Sequence, residues 1–325
     1  MAPRRRTAEA DLEPLINTGI NWFLGLNRRA QFVFVALLLA ACAIGAYVYY
    51  QSQRQVAVSI SGSPNLLLGN PSDATGDLFH RDNYLMDKGY YVLAYDNTLG
   101  TPKWVSWQVK AADLGTARRK QVFDTDMTLP AGFTRIATHD YSGSGFDRGH
   151  MCPHSDRAAD EQMSFATFVM TNIIPQAPNV NRKAWAQLES YSRELVREGN
   201  RLYILSGPIG KRGIGSMGPR DFIGQGKVTV PAGCWKLVVV VPVAGGEDDL
   251  AKINADTRVI AVIMPNNQDI VGEEWAQFRT SPAQVEQQTG LHFFDRLSPE
   301  VAQALRQKTD DAPIAPPRPM EHGHD

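Results

Sequence analysis

An uncharged apolar run near the N-terminus constrains this chain more than any other sequence feature. Residues 30–50 read AQFVFVALLLAACAIGAYVYY and contain no charged side chain. A helix of about 20 such residues is long enough to cross the hydrocarbon core of a bilayer. Arg28 and Arg29 precede the run directly, whereas only Arg54 follows it closely. Because flanking arginines favour the cytoplasmic side, the sequence predicts a single-pass helix with a cytoplasmic N-terminus.

The chain divides into five segments that differ in composition. In order they are a cytoplasmic segment (1–29), a transmembrane helix (30–50), a polar stalk (51–63), a globular domain (64–305) and a disordered tail rich in proline and charge (306–325). The predicted orientation places everything after Gln51 in the periplasm or outside the cell.

Two other interpretations of the apolar run stay open. A cleaved signal peptide usually has a shorter charged region and a shorter apolar core than this segment. The residues LAAC that end at Cys42 resemble a lipoprotein processing site, but the run continues for eight residues beyond that cysteine. An acylated cysteine needs no such continuation, so we expect the helix itself to be the anchor.

Charge and cysteine content narrow the possibilities further. A formal net charge of −1 excludes a globally basic surface, so contacts with a polyanion would come from a local cluster of cations. Three cysteines are too few for a disulfide framework. Cys42 lies in the apolar run, which leaves Cys152 and Cys234 as the plausible pair in an oxidising compartment.

The globular part mixes short β-like runs with a few helices. Runs rich in β-branched and aromatic residues predict strands at 90–95, 104–108, 202–206, 236–241 and 259–264. Residues 182–198 predict a helix, because Trp185, Leu188 and Leu195 lie on one apolar face and Gly199 can end it. The glycine-rich segment 210–218 fits no phosphate-binding loop and predicts a mobile surface loop. These patterns favour an α+β fold with a mainly antiparallel central sheet and flanking helices.

Two polar motifs indicate chemistry. In the first, the run SGSG (142–145) leads to Asp147-Arg148-Gly149-His150. A neutral imidazole can accept a proton from water near pH 7 and a guanidinium can hold a phosphate, which suits phosphodiester hydrolysis. Taken alone, the motif is equally compatible with a polar turn.

The second motif lies in the predicted 182–198 helix and just before it. Asn181, Glu189 and Arg193 are spaced by eight and four residues, which on a continuous α-helix places them on one side. Amide and carboxylate oxygens are suitable ligands for Mg²⁺. The alternative is a surface Glu–Arg pair preceded by a capping asparagine.

Together the motifs resemble the DNA/RNA non-specific endonuclease family, whose metal site is of the ββα type. The strongest resemblance covers residues 119–207, and a weaker one covers about 69–294. Its landmarks include Arg119 with Phe123, Asp147 to His150, Asn172, Asn181 with Trp185 and Glu189, and Tyr203 before Ser206-Gly207-Pro208. Cys152 departs from the family pattern, because a small residue such as alanine usually stands there.

The resemblance implies a Mg²⁺-dependent endonuclease, with Mn²⁺ as a substitute, that cleaves DNA and RNA and leaves 5′-phosphates. It implies that His150 is the general base, that Asn181 is the direct metal ligand and that Glu189 holds the metal through water. The arginines that match those near the scissile phosphate are Arg119, Arg148 and Arg193. The other interpretation is a catalytically inactive protein that tethers nucleic acid at the membrane.

Overall fold

The computed structural model describes residues 13–244, 246 and 248–314, and the chain forms two compact units that divide after Val56. The first unit contains α1 (Glu13–Leu24) and most of α2 (Arg28–Ser61). Asn27 begins α2, since its Oδ1 accepts a hydrogen bond from the backbone N–H of Ala30 at 3.0 Å.

Within α2, the segment Arg28–Val48 is long and apolar enough to cross a membrane, and none of it is buried. A signal sequence near the N-terminus can meet the same criteria of helix length and hydropathy, so both predictions for this segment stay open. Within the predicted stalk at residues 51–63, α2 continues as one helix to Ser61.

A seven-stranded antiparallel sheet organises the second unit, in the order β1-β2-β3-β6-β11-β12-β13. All five strand predictions are confirmed in this sheet. Its strands are β1 (Tyr84–Asp87), β2 (Val92–Asp96), β3 (Thr101–Val109), β6 (Asn200–Ile209), β11 (Gly233–Pro242), β12 (Arg258–Pro265) and β13 (Arg279–Thr280). The remaining strands are β4 (Asp147–His150), β5 (Ile173–Gln176), β7 (Gly213–Gly215), β8 (Gly218–Arg220), β9 (Phe222–Ile223) and β10 (Val228–Thr229).

Helices cover both faces of the sheet. They are α3 (Glu161–Ala166), α4 (Ala186–Arg197), α5 (Asp249–Lys252), α6 (Pro282–Thr289) and α7 (Pro299–Gln307). One core lies between the sheet and α4 and contains Leu188 and Leu195, the apolar positions that predicted this helix. The other core contains Val285 of α6 and Leu305 of α7. The predicted α+β class with a mainly antiparallel sheet is therefore confirmed.

Three details differ from the sequence predictions. The segment 210–218 forms part of a hairpin, in which β7 pairs with β8, rather than an irregular loop. Cys152 and Cys234 are both buried free thiols and do not pair. The first part of the predicted tail is packed, because Asp310 is buried and accepts hydrogen bonds from Arg258 at 2.8 and 3.0 Å. Residues 315–325 of that tail lie outside the described residues.

Candidate active site

A two-stranded ribbon and the helix after it form a ββα unit beside the main sheet. Strands β4 and β5 are antiparallel, with Asp147 opposite Gln176 and His150 opposite Ile173. Gly149 is required between them, because a Cβ there would lie 2.2 Å from Oε1 of Gln176. The chain then passes through a π-helical turn, Val180–Trp185, directly into α4. This unit contains His150, Asn181, Glu189 and the segment that positions them.

His150 lies in an aromatic setting. Its ring centroid is 4.7 Å from that of Phe168, edge to face, and 5.2 Å from that of Phe123. Its Nε2 is buried and has no hydrogen-bond partner among the described residues. A buried ring nitrogen without a partner is costly unless a water or a ligand satisfies it. The packing thus fixes the imidazole, while the His150 side chain as a whole stays partly exposed.

The protonation of His150 follows from the same setting. Burial, the charge of Arg119 and the neighbouring His154 together lower its pKa to about 3. The imidazole is therefore neutral at pH 7, which is the form that accepts a proton.

The three arginines of the prediction have different surroundings. Arg119 is exposed, with its guanidinium carbon 5.7 Å from the Phe168 ring centroid, next to His150. Arg148 donates from Nη2 to the carbonyl of Thr138 at 2.8 Å. The guanidinium of Arg148 is thus engaged with the protein backbone, and a phosphate contact by it stays a prediction.

Arg193 belongs to a buried polar group beneath the site. Its Nη1 donates to Oδ1 of Asp156 at 3.1 Å, and the other oxygen of that aspartate accepts a hydrogen bond from Trp107 Nε1 at 3.0 Å. The Asp156 side chain is 2% exposed. Arg193 and Trp107 therefore fix the buried carboxylate of Asp156, and this carboxylate holds one side of the Arg193 guanidinium in place.

Asn181 lies in the π-helical turn, and its amide is oriented by Asp147. Its Nδ2 donates to Oδ2 of Asp147 at 2.9 Å, which directs the amide oxygen away from that carboxylate. Arg182 completes the arrangement by donating to both Asp147 oxygens, at 2.8 and 2.7 Å. The continuous α-helix assumed from the spacing is wrong at this point, because the π turn changes the direction of Asn181 relative to Glu189.

Glu189 forms an ion pair with Lys236 of the central sheet. Oε1 of Glu189 lies 3.1 Å from Nζ of Lys236, whose side chain is 1% exposed. Burial raises the pKa of Glu189 above its usual range, and the positive charges of Lys236 and Arg193 act against that rise.

His154 is a residue of this site that the sequence predictions missed. Its ring centroid lies 5.8 Å from that of Phe168, the phenylalanine that also contacts His150. Burial, with the charges of Arg119 and Arg193, lowers the pKa of His154 to about 4. The signal was present as a second histidine four residues after the first.

The donor set fits a hard cation that keeps most of its waters. The amide oxygen of Asn181 and the carboxylate of Glu189 are oxygen ligands of the kind that Mg²⁺ accepts. Among the residues that the structure describes, no group of three or more His, Cys, Asp or Glu side chains could hold a metal. These donors do not suit a fully protein-coordinated Zn²⁺ or Ca²⁺ site, for which more ligands are needed.

Comparisons with known proteins agree with this site. Residues 69–300 match the family described as DNA/RNA non-specific endonuclease. A nuclease of Nostoc sp. is 43% identical over 85% of this chain and 97% of its own length. The mitochondrial nuclease EXOG of Danio rerio is 35% identical over 64% of this chain and 60% of its own length.

The fold comparison gives the same result. A chain from a crystal structure of the EndoG/EndoGI complex aligns with a TM-score of 0.58 and 26% identity, over 71% of this chain and 89% of that one. The α+β fold with its ββα unit and the matched relatives define the class of protein, which is a nuclease. The chain belongs to the DNA/RNA non-specific endonuclease family.

Proposed function

We propose that this protein is a membrane-anchored, Mg²⁺-dependent endonuclease in which His150 activates water and Asn181 binds the metal. The observation that carries the proposal is the partly exposed imidazole of His150, which is neutral at pH 7 and is fixed by contacts with Phe123 and Phe168. A fixed, neutral and partly exposed imidazole is suited to receive a proton from a water molecule, and a nuclease must activate water.

The side chains of the site have two roles, which are transfer of a proton and stabilisation of the negative charge on the phosphate. The imidazole of His150 takes the proton of the attacking water. Arg119, which is exposed beside it, is free to contact the phosphate, and Arg193 is held in place by Asp156. A phosphodiester gains negative charge on its oxygens in the transition state, so fixed guanidinium groups favour cleavage.

Asn181 and Glu189 would hold the cation, the first directly and the second through water. When bound, Mg²⁺ supplies positive charge to the phosphate oxygens and to the leaving 3′ oxygen, which gives products with 5′-phosphates. No residue of this machinery requires a particular base or sugar, so we expect DNA and RNA to be cleaved with little sequence selectivity.

Cleavage assays with and without metal test this proposal. We expect the full-length protein in detergent to cut supercoiled plasmid and single-stranded RNA with Mg²⁺ or Mn²⁺ and to be inactive with excess EDTA. End-labelling before and after phosphatase treatment would identify 5′-phosphates. Tight DNA binding without cleavage under any divalent metal would instead indicate a nucleic-acid tether.

Protease accessibility tests the membrane anchor. The arginines before the apolar run predict that protease added outside intact cells degrades the nuclease domain and leaves a short N-terminal fragment protected. A domain protected from the protease would mean the opposite orientation. A domain recovered in the soluble fraction without α2 would indicate cleavage of a signal peptide.

A further inference from the structure

Lys236 is a buried cation in the middle of the main sheet. Along β11 the side chains alternate between the two faces, and Cys234 and Val238 lie in the core that α4 covers. Lys236 stands between them on the same face, with 1% of its side chain exposed. Lysine is almost never fully buried unless a partner compensates its charge, so this position requires a specific explanation.

Three contacts fix the position of the ammonium group. Nζ lies 3.1 Å from Oε1 of Glu189, 4.2 Å from the ring centroid of Trp185 and 5.6 Å from that of Trp107. Two aromatic faces attract a cation and narrow the space in which it can move. The ammonium is therefore located by the rigid sheet and by packed rings, whereas Glu189 belongs to the helix above it.

Stability alone does not account for this pair. Replacing a buried ion pair by apolar side chains of similar volume is often neutral or stabilising, so a packed core gains little from the charge. The other residues of β11, which include Trp235, Leu237 and a run of valines, carry no charge. What the pair does supply is a fixed orientation of one carboxylate.

The ion pair with Lys236 makes the two carboxylate oxygens of Glu189 different from each other. Oε1 accepts the hydrogen bond from Lys236, and among the described residues the carboxylate has no other hydrogen-bond donor. Oε2 is thus the oxygen left for another ligand. Residues that orient a metal-binding group from behind commonly change metal affinity or activity when they are replaced.

We propose that Lys236 is a positioning residue, which holds Oε1 of Glu189 so that Oε2 faces the hydration shell of the bound cation. The proposal rests on the proposed function, since it assigns Glu189 to the metal. It adds Lys236 of β11, which lies 47 positions after Glu189 in the sequence, to a site otherwise built on the ββα unit.

A double-mutant cycle on the full-length protein in detergent tests this role. Lys236→Met, Glu189→Gln and the double variant are compared with the wild type by Mn²⁺ binding, followed by electron paramagnetic resonance, and by the Mg²⁺ dependence of kcat and KM. We expect Lys236→Met to weaken Mn²⁺ binding by about 10–100-fold. In the Glu189→Gln background the same change should add less than about 3-fold, because the two residues act as a unit.

Lys88→Met is the matched control. Lys88 also forms a mostly buried pair, with Nζ 2.8 Å from Oδ2 of Asp126, but it does not contact Glu189. We expect this variant to lower the melting temperature and to leave Mn²⁺ affinity unchanged. If Lys236→Met does not fold, Lys236→Gln takes its place. Because glutamine keeps an N–H donor for Oε1 of Glu189, we expect it to weaken Mn²⁺ binding less than Lys236→Met would, and to add less again in the Glu189→Gln background.

Wild-type Mn²⁺ affinity in a folded Lys236 variant would overturn the positioning role, and so would an equal loss in the Glu189→Gln background. If the proposed function itself is wrong, the experiment gives a different result, because the wild type then cleaves neither DNA nor RNA with any divalent metal. The two failures are therefore separable in one set of measurements.

Discussion

His150→Ala is expected to reduce turnover by about 10²–10⁴-fold while DNA binding stays close to that of the wild type. The variant removes the imidazole that accepts the proton, but it leaves Arg119 and Arg193 for the phosphate and Asn181 for the metal. The loss should therefore appear in kcat rather than in KM. Single-turnover cleavage of plasmid, with DNA affinity measured in Ca²⁺, separates the two quantities.

Two controls make this result specific. His80→Ala removes a histidine whose side chain is 67% exposed and is expected to cleave like the wild type. Added imidazole should restore part of the activity of His150→Ala by occupying the vacated space beside Phe168. Wild-type turnover in His150→Ala, with the fold intact, would refute the proposed base.

The pH profile follows from the same residue. Because burial and Arg119 lower the pKa of His150 to about 3, the imidazole stays neutral as the pH falls through the usual histidine range near 6.5. We therefore expect protonation of His150 to cause no fall in kcat near pH 6.5. Stability should change in that range, because the unfolded chain binds a proton at His150 below pH 6.5 and the folded chain does not, so the free energy of unfolding falls as the pH falls.

The sequence predicted the parts of this site that depend on local pattern. The strands were predicted from β-branched runs and the α4 helix from its apolar face, because both signals repeat within a few residues. The Asp147 to His150 motif was singled out as a short run with recognisable chemistry, whereas Asn181 was assigned to the metal through the resemblance to the endonuclease family. Neither inference needed knowledge of which distant segments meet.

The features that were missed depend on contacts between distant residues. The π turn at Asn181 follows a loop held by Asn266 and Gln268, which accept hydrogen bonds from the backbone of Ala177 and Asn179 across 89 residues. Lys236 was counted only as part of a strand, because the pairing that explains its charge lies on another element. The continuation of α2 through the polar stalk was missed for a different reason, since polar composition does not prevent a helix.

Asn181→Ala is expected to reduce metal-dependent cleavage by about 10²–10⁴-fold while the protein still folds. The asparagine is partly exposed and lies in the π turn before α4, which is held in the core by Leu188 and Leu195, so its loss removes little packing. Loss of a metal that stabilises the transition state by several kcal/mol corresponds to a rate loss of about 10²–10⁴-fold. Mn²⁺ affinity and cleavage rate should fall together.

Variants at the same turn distinguish the ligand from its surroundings. Asn179→Ala removes a hydrogen bond of 2.6 Å to the carbonyl of Gln268 in the same segment, and we expect it to keep its metal affinity. Asn181→Asp keeps an oxygen ligand but places a second carboxylate against Asp147, which already accepts the Asn181 amide. Like charges at this distance repel, so this variant should bind Mn²⁺ better than Asn181→Ala and remain slower than the wild type. Wild-type cleavage by Asn181→Ala at low Mg²⁺ would show that another residue holds the metal, and the assignment of Asn181 would fail.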